Sequence, residues 1–205
     1  MRANKGRPQY LGRHLMVKGE YVGKILSGEK TTTIRLGVVR VKYRDIIIHG
    51  GGRPVAKALV TSVKTKRVSD LTDEDARRDG FPSREKLIEA LEEAYGSVGP
   101  QDTVTIIEFR VTRRFDELST ENPYMGLEPA DIARLALRYL DLPEEERRIL
   151  EDVTRTNSIR HTASRLLGGV NKRWIVRRIL RRSLRELVRR GIIGSRARRA
   201  EARRR

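Results

Sequence analysis

The spacing of apolar residues changes once along the chain, and that change constrains the fold more than any other feature. Up to Val111 the apolar residues fall in short, strand-sized runs: His14 to Val17, Thr31 to Ile34, Asp45 to His49, Val55 to Thr65 and Val104 to Val111. Short helices interrupt them. One runs from Glu20 to Ser27 and ends at Gly28, where a left-handed residue is cheapest. Another starts at Asp70 with carboxylates in its first turn, and a third is capped by Ser83, with Leu87, Ile88, Leu91 and Tyr95 on one face. From Glu128 onward the spacing becomes helical, predicting helices around Ile132 to Tyr139, over Glu144–Val153, after a cap at Asn157-Ser158, and over Lys172–Arg190 up to Gly191. Strands on both sides of a helical excursion, without regular βαβ alternation, predict a small β-barrel with inserted helices. The expected fold class is α+β, with that barrel followed by an all-α basic C-terminal domain.

The segment Arg113–Leu127, with Asn122-Pro123, is the natural break. The expected layout is a β-rich domain over 1–114, a linker over 115–127, a basic helical domain over 128–194 and a tail over 195–205. The tail is mostly Arg and Ala, too poor in apolar surface to fold alone, and reads as a disordered basic arm.

Charge follows the same division. The 45 basic and 27 acidic side chains give a net charge of +18 over 205 residues. Residues 1–114 carry +9, residues 115–154 carry −7, and residues 155–205 carry +16. A one-signed block of that size points to a polyanionic partner. With no cysteine, disulfides, thiolate zinc sites and a Cys nucleophile are excluded. His14, His49 and His161 lack metal-ligand spacing, so neither a metal nor another cofactor is expected. Gly50-Gly51-Gly52 reads as a turn, since no Gly-Lys-Ser/Thr follows it. No apolar run approaches the roughly 20 residues of a membrane span, and the N-terminus shows no signal-peptide stretch, so a cytoplasmic location is expected.

The segment with the most chemistry is Gly28-Glu29-Lys30-Thr31-Thr32-Thr33-Ile34-Arg35. It sets a point charge, a hydroxyl and a guanidinium fork at a helix-to-strand corner, an arrangement suited to an anion. In an extended chain Lys30 and Thr32 share one face while Thr33 and Arg35 share the other, although the corner can bring Lys30 round towards Thr33. The octapeptide resembles the Gly-x-Lys-x-x-Thr-x-Arg hallmark of the ASCH domain family. The helix Tyr21–Ser27, the run Asp70 to Phe81, the helix Ser83–Tyr95 and the strand Thr105–Phe109 follow in the family's order, so the resemblance covers about residues 13–112. It implies a PUA-like β-barrel with a cleft lined by the motif and related to RNA binding. Some members are amidohydrolases acting on N4-acetylcytidine; by position their catalytic set falls on Lys30, Thr33 and Asp79, where Asp79 replaces a Glu. Others are ribonucleases or nucleic-acid binders, so hydrolase and pure binder both stand at this point.

The helices after Asn157 have the spacing of a helix-turn-helix, and Leu184 to Ile193 resembles a winged-helix recognition helix leading into a strand. On the last helix Val176, Ile179 or Leu180, Ser183 or Leu184, and Leu187 form the expected packed stripe. Arg160, Arg165, Lys172, Arg173, Arg177, Arg178, Arg181, Arg182, Arg185 and Arg189, together with Lys30 and Arg35, are the expected phosphate contacts. RNA is the expected partner; a DNA-binding transcriptional regulator is the alternative, and neutralisation of the arginines by the acidic 115–154 segment is the rival to both.

Overall fold

A computed structural model describes residues 9–116 and 123–194. The basic tail and the middle of the expected linker lie outside the described residues. The chain divides into two compact units, Met1–Arg114 and Phe115–Arg205.

In the first unit five strands form a half-barrel sheet in the order β2 (His14–Val17), β5 (Asp45–Gly50), β6 (Arg53–Arg67), β7 (Thr103–Arg114) and β3 (Thr32–Leu36). β2 runs parallel to β5, and the other neighbours are antiparallel. Register shifts at Lys57/Ala58 and Val60/Ser62 interrupt the long β6–β7 ladder, and bulges of this kind bend and twist the strands they occur in. Along β6 it is the small set Pro54, Ala56, Ala58 and Val60 that is buried, whereas Val63 is exposed. Two faces of the sheet carry separate cores, because alternate residues of a strand point opposite ways. On β7, Ile107 and Phe109 join Leu15, Ile25, Ile46, Ile48 and Val60 on one side. Val104 and Ile106 join Ile34, Leu36, Ala76, Leu87 and Leu91 on the other, under helices α2 (Asp73–Arg78) and α3 (Arg84–Tyr95). Each fully buried side chain of this size contributes about 1.5–3 kcal/mol.

α1 spans Val22–Ser27, after a 3-10 turn over Gly19–Tyr21. α2 begins later than its first polar residue suggests. Val68–Asp70 forms a 3-10 turn, and Thr72 caps α2 in a reciprocal capping box with Asp75. Two strands were not legible in the sequence: β1 (Gln9–Leu11) and β4 (Val39–Val41) pair in parallel as a separate ribbon. At three residues each, they are too short to show a period.

The described part of the second unit contains α4 (Pro129–Tyr139), α5 (Glu144–Thr156), α6 (Ile159–Leu167) and α7 (Arg173–Arg189), and no strand. α7 buries Val176, Ile179, Leu180, Ser183, Leu184 and Leu187, the stripe its spacing predicts. Among the described residues, the strand expected after Gly191 does not form. Gly191 takes φ 64°, and the N–H groups of Gly191 and Ile192 turn back to the carbonyls of Val188 and Leu187. Ile193 is then fully buried, and the Gly194 N–H bonds the Phe115 carbonyl, joining the first and last described residues of the unit.

Candidate functional site

The Lys30 corner is built by backbone before any side chain acts. Gly28 ends α1 at φ 85°, and the Lys30 N–H returns to the Lys24 carbonyl. The Thr31 N–H then bonds the Arg78 carbonyl at 2.9 Å, fastening the motif to the end of α2. Arg78 and Glu108 form an ion pair alongside. Lys30 turns inward from this corner. Its Nζ donates to Oδ1 of Asp79 at 2.6 Å and to the Asp79 carbonyl at 2.5 Å, and the two side chains are only 4% and 6% exposed. The Thr32 hydroxyl approaches the same carboxylate oxygen at 3.5 Å. Gly80 follows at φ +85°, where a Cβ would lie 3.4 Å from both Lys24 Cδ and Lys30 Cδ. A glycine lets the loop close over both lysines, and Lys24 Nζ caps it by donating to the Gly80 carbonyl at 2.7 Å.

Two touching rings lie to one side of the buried ammonium. Lys30 Nζ is 5.0 Å from the Tyr21 ring centroid and 6.0 Å from that of Phe81, and the rings are tilted against each other at 5.7 Å. An ammonium has three N–H donors. Asp79 accepts two of them, one at its carboxylate and one at its backbone carbonyl.

Burial dominates the electrostatics. It pushes the Asp79 carboxyl up to about 6, against the opposing pull of Lys30, and it pushes Lys30 below its ordinary value, against the attraction of Asp79. The neighbouring charges of Arg35 and Lys24 lower Lys30 further. Burial also raises the Tyr21 phenol.

The structure thus brings Lys30 and Asp79 together, and it brings Thr32 to them. Thr33 is the next residue of β3, so the pleat turns its side chain the other way. Among the described residues its hydroxyl makes no hydrogen bond to Lys30 or Asp79. Arg35, on Thr33's side of the strand, donates through Nη2 to the Met16 carbonyl at 3.1 Å, while its buried Nε has no hydrogen-bond partner among the described residues.

A family model described as the ASCH domain matches residues 9–113. The chain belongs to the ASCH domain family. No curated protein matches it. Among solved structures, the ASCH domain of Lactobacillus crispatus JV V101 is similar at 15% identity and a TM-score of 0.44, over 52% of this chain and 81% of that one. A mutant of the Zymomonas mobilis ASCH protein is similar at 14% identity and a TM-score of 0.41, over 65% and 86%. The family match over residues 9–113 makes the half-barrel of the first unit an ASCH domain, and the ASCH family is generally linked to RNA binding.

Beyond the ASCH unit, the basic residues named from the sequence fall into two groups. Arg165 pairs with the fully buried Asp152, and Arg182 pairs with Glu146. Arg189 and Arg190 both grip Glu186, at 2.7 and 2.6 Å, and hold its carboxyl down at about 2. The second group is Arg160, Lys172, Arg173, Arg177, Arg178, Arg181 and Arg185, all exposed and in no ion pair among the described residues. Four of these, Arg177, Arg178, Arg181 and Arg185, line an open groove of about 420 Å³ together with Trp174. Trp174 is 56% exposed, with the Arg178 guanidinium 5.1 Å from its ring centroid. The sequence reading missed Trp174. Its helical position gives the signal, since 174, 177, 178 and 181 lie on one face, opposite the apolar stripe.

No helix among the described residues is long and apolar enough to cross a membrane, and no cluster of potential metal ligands occurs among them.

Proposed function

We propose that this protein binds RNA. In this reading the ASCH half-barrel is a PUA-like fold whose cleft recognises a nucleotide or its phosphate. The helical domain over 128–194, reached through a linker over 115–127, contacts the backbone in helix-turn-helix fashion. The observation that carries the reading is Lys30: a buried cation beside the touching rings of Tyr21 and Phe81, in the hallmark motif of a family linked to RNA. A flat base with an acceptor on its edge suits a cation that stands beside two aromatic rings. Arg35, whose Nε has no hydrogen-bond partner among the described residues, is a second cation of the same motif and lies near enough to influence Lys30 electrostatically.

The test is anisotropy of a labelled RNA with the full-length protein and its Phe81→Ala variant. About tenfold weaker binding, equivalent to roughly 1.4 kcal/mol, supports the cleft reading. Unchanged affinity with native circular dichroism overturns it.

One observation favours a second reading, a hydrolase of the N4-acetylcytidine amidohydrolase or ribonuclease kind acting through Lys30, Thr33 and Asp79. Asp79 at about 6 and a lowered Lys30 are tuned towards neutral pH, as groups that exchange protons in catalysis need to be. On this reading Thr33→Ala abolishes turnover of N4-acetylcytidine and leaves RNA binding nearly intact. No turnover by the unaltered protein removes it.

A further inference from the structure

We propose that Trp174 and the arginines beside it form a binding site for single-stranded RNA, in which an unstacked base lies on the indole and Arg177, Arg181 and Arg185 hold the flanking phosphates. The proposal rests on the reading that this protein binds RNA, and it assigns a second site, on α7, with its own ligand chemistry.

The first support is selective neutralisation. α7 is rich in arginine along its length, but the carboxylates of the unit are taken up at particular positions: Glu146 by Arg182, and Glu186 by Arg189 and Arg190. The groove arginines are left out. Arg177, Arg178, Arg181 and Arg185 form no ion pair among the described residues, although they stand within a turn or two of paired neighbours. Such a cluster of exposed, unneutralised guanidinium groups repels itself unless an anion enters.

The second support is the tryptophan. Residues 174, 178, 181 and 185 follow one another at intervals of four, three and four, with 177 beside them, a single stripe about 16 Å long. The opposite side of the helix is the buried apolar stripe, and Trp174 is not among the residues α7 buries. It is the largest apolar side chain in the chain and the only tryptophan, yet more than half of it is exposed among cations. Arg178 stacks against the ring and braces it. A braced indole within a cationic groove is a stacking platform, and every base offers a π-face to it.

The third point decides between strands and duplex. Bases in a duplex are stacked inside, and an RNA duplex hides its edges in a deep, narrow major groove, so a helical indole finds no free base face. Phosphate contacts alone would serve a duplex equally well. The tryptophan is what selects a single strand.

Trp174 also reports on its own site, because the emission of the full-length protein comes from this one indole. The protein is titrated with a 12-nucleotide single-stranded RNA, the same RNA as a duplex, and poly-glutamate. The expected result is strong quenching by the single strand, with little by the other two. By anisotropy of labelled RNA, Trp174→Ala weakens single-strand binding by about 5- to 150-fold, the range of one base–aromatic stack, and Trp174→Phe recovers most of it. Arg177→Ala with Arg181→Ala lowers the slope of log affinity against log salt by about 1.4. Equal quenching by duplex or poly-glutamate overturns the proposal, as does a Trp174→Ala variant that binds single-stranded RNA normally. The cleft reading fails separately. If Phe81→Ala is silent while Trp174→Ala is not, the α7 site stands without the cleft. If Phe81→Ala weakens binding and Trp174→Ala does not, the cleft stands and this site falls.

Discussion

Lys30 and Arg181 are both cations in strongly basic surroundings, yet they are held in opposite ways. Lys30 is 4% exposed, with two of its donors on Asp79 and two touching aromatic rings beside it. Arg181 stands on the surface of α7 among three other arginines and a tryptophan, with no carboxylate partner among the described residues. In the first case the charge has been taken out of water and depends on Asp79 beside it. In the second the charge is hydrated and free to meet a ligand. Net charge does not distinguish them: the +9 of the first unit's sequence and the +16 of residues 155–205 count every cation alike. Burial and pairing do.

The comparison can be broken most directly at Asp79. Replacing it with alanine leaves a buried ammonium without its counter-charge and should cost about 3–5 kcal/mol, read from denaturant unfolding of the full-length protein. The double change Lys30→Met with Asp79→Leu should recover most of that loss, since a buried pair exchanged for apolar groups is often neutral. If the single variant unfolds at the unaltered midpoint, the pair is not the buried element described here.

Gly80→Ala should have the next largest effect. It forces a left-handed residue against Lys24 and Lys30 and should cost about 1–2 kcal/mol, visible as a lower unfolding midpoint.

A pH series sharpens the same contrast. Asp79 sits at about 6 in the folded protein, above its ordinary value near 3.8, so the native state holds the extra proton between those limits. The contribution of this group to stability is therefore full below about pH 4 and is lost as pH rises through 6. The Lys30→Met, Asp79→Leu protein should lack that slope; an identical slope in both proteins would assign it to other groups.

The smallest effect is expected on α7. Arg181→Ala should change stability by no more than about 0.5 kcal/mol, as for surface positions generally, while reducing the salt dependence of RNA binding. A large loss of stability there would show that the stripe serves the fold.

Elements with a long repeat were legible from the sequence. The α7 stripe, the Ser83 and Ser158 caps and the Gly28 terminus follow from local spacing and capping chemistry. The three-residue strands β1 and β4 were not, because each is defined by its partner and carries no period of its own. In the motif, alternation placed Lys30 with Thr32 and Thr33 with Arg35, and in the structure it is Thr32 that stands beside the Lys30–Asp79 pair. The pairing of Lys30 with Asp79 spans 49 positions and came into view only through resemblance to a family.

The sequence by itself determined where strands give way to helices, which helix faces are apolar and that the chain carries a large excess of positive charge, because periodicity, capping and charge are properties of neighbouring residues. The tertiary structure decided which of those charges are neutralised. Glu146 reaches Arg182 across 36 positions, and Asp152 reaches Arg165 from a neighbouring helix. Only packing brings such groups within a few ångströms, where a Coulombic contact outweighs hydration; the same packing leaves Trp174 and its four arginines facing water.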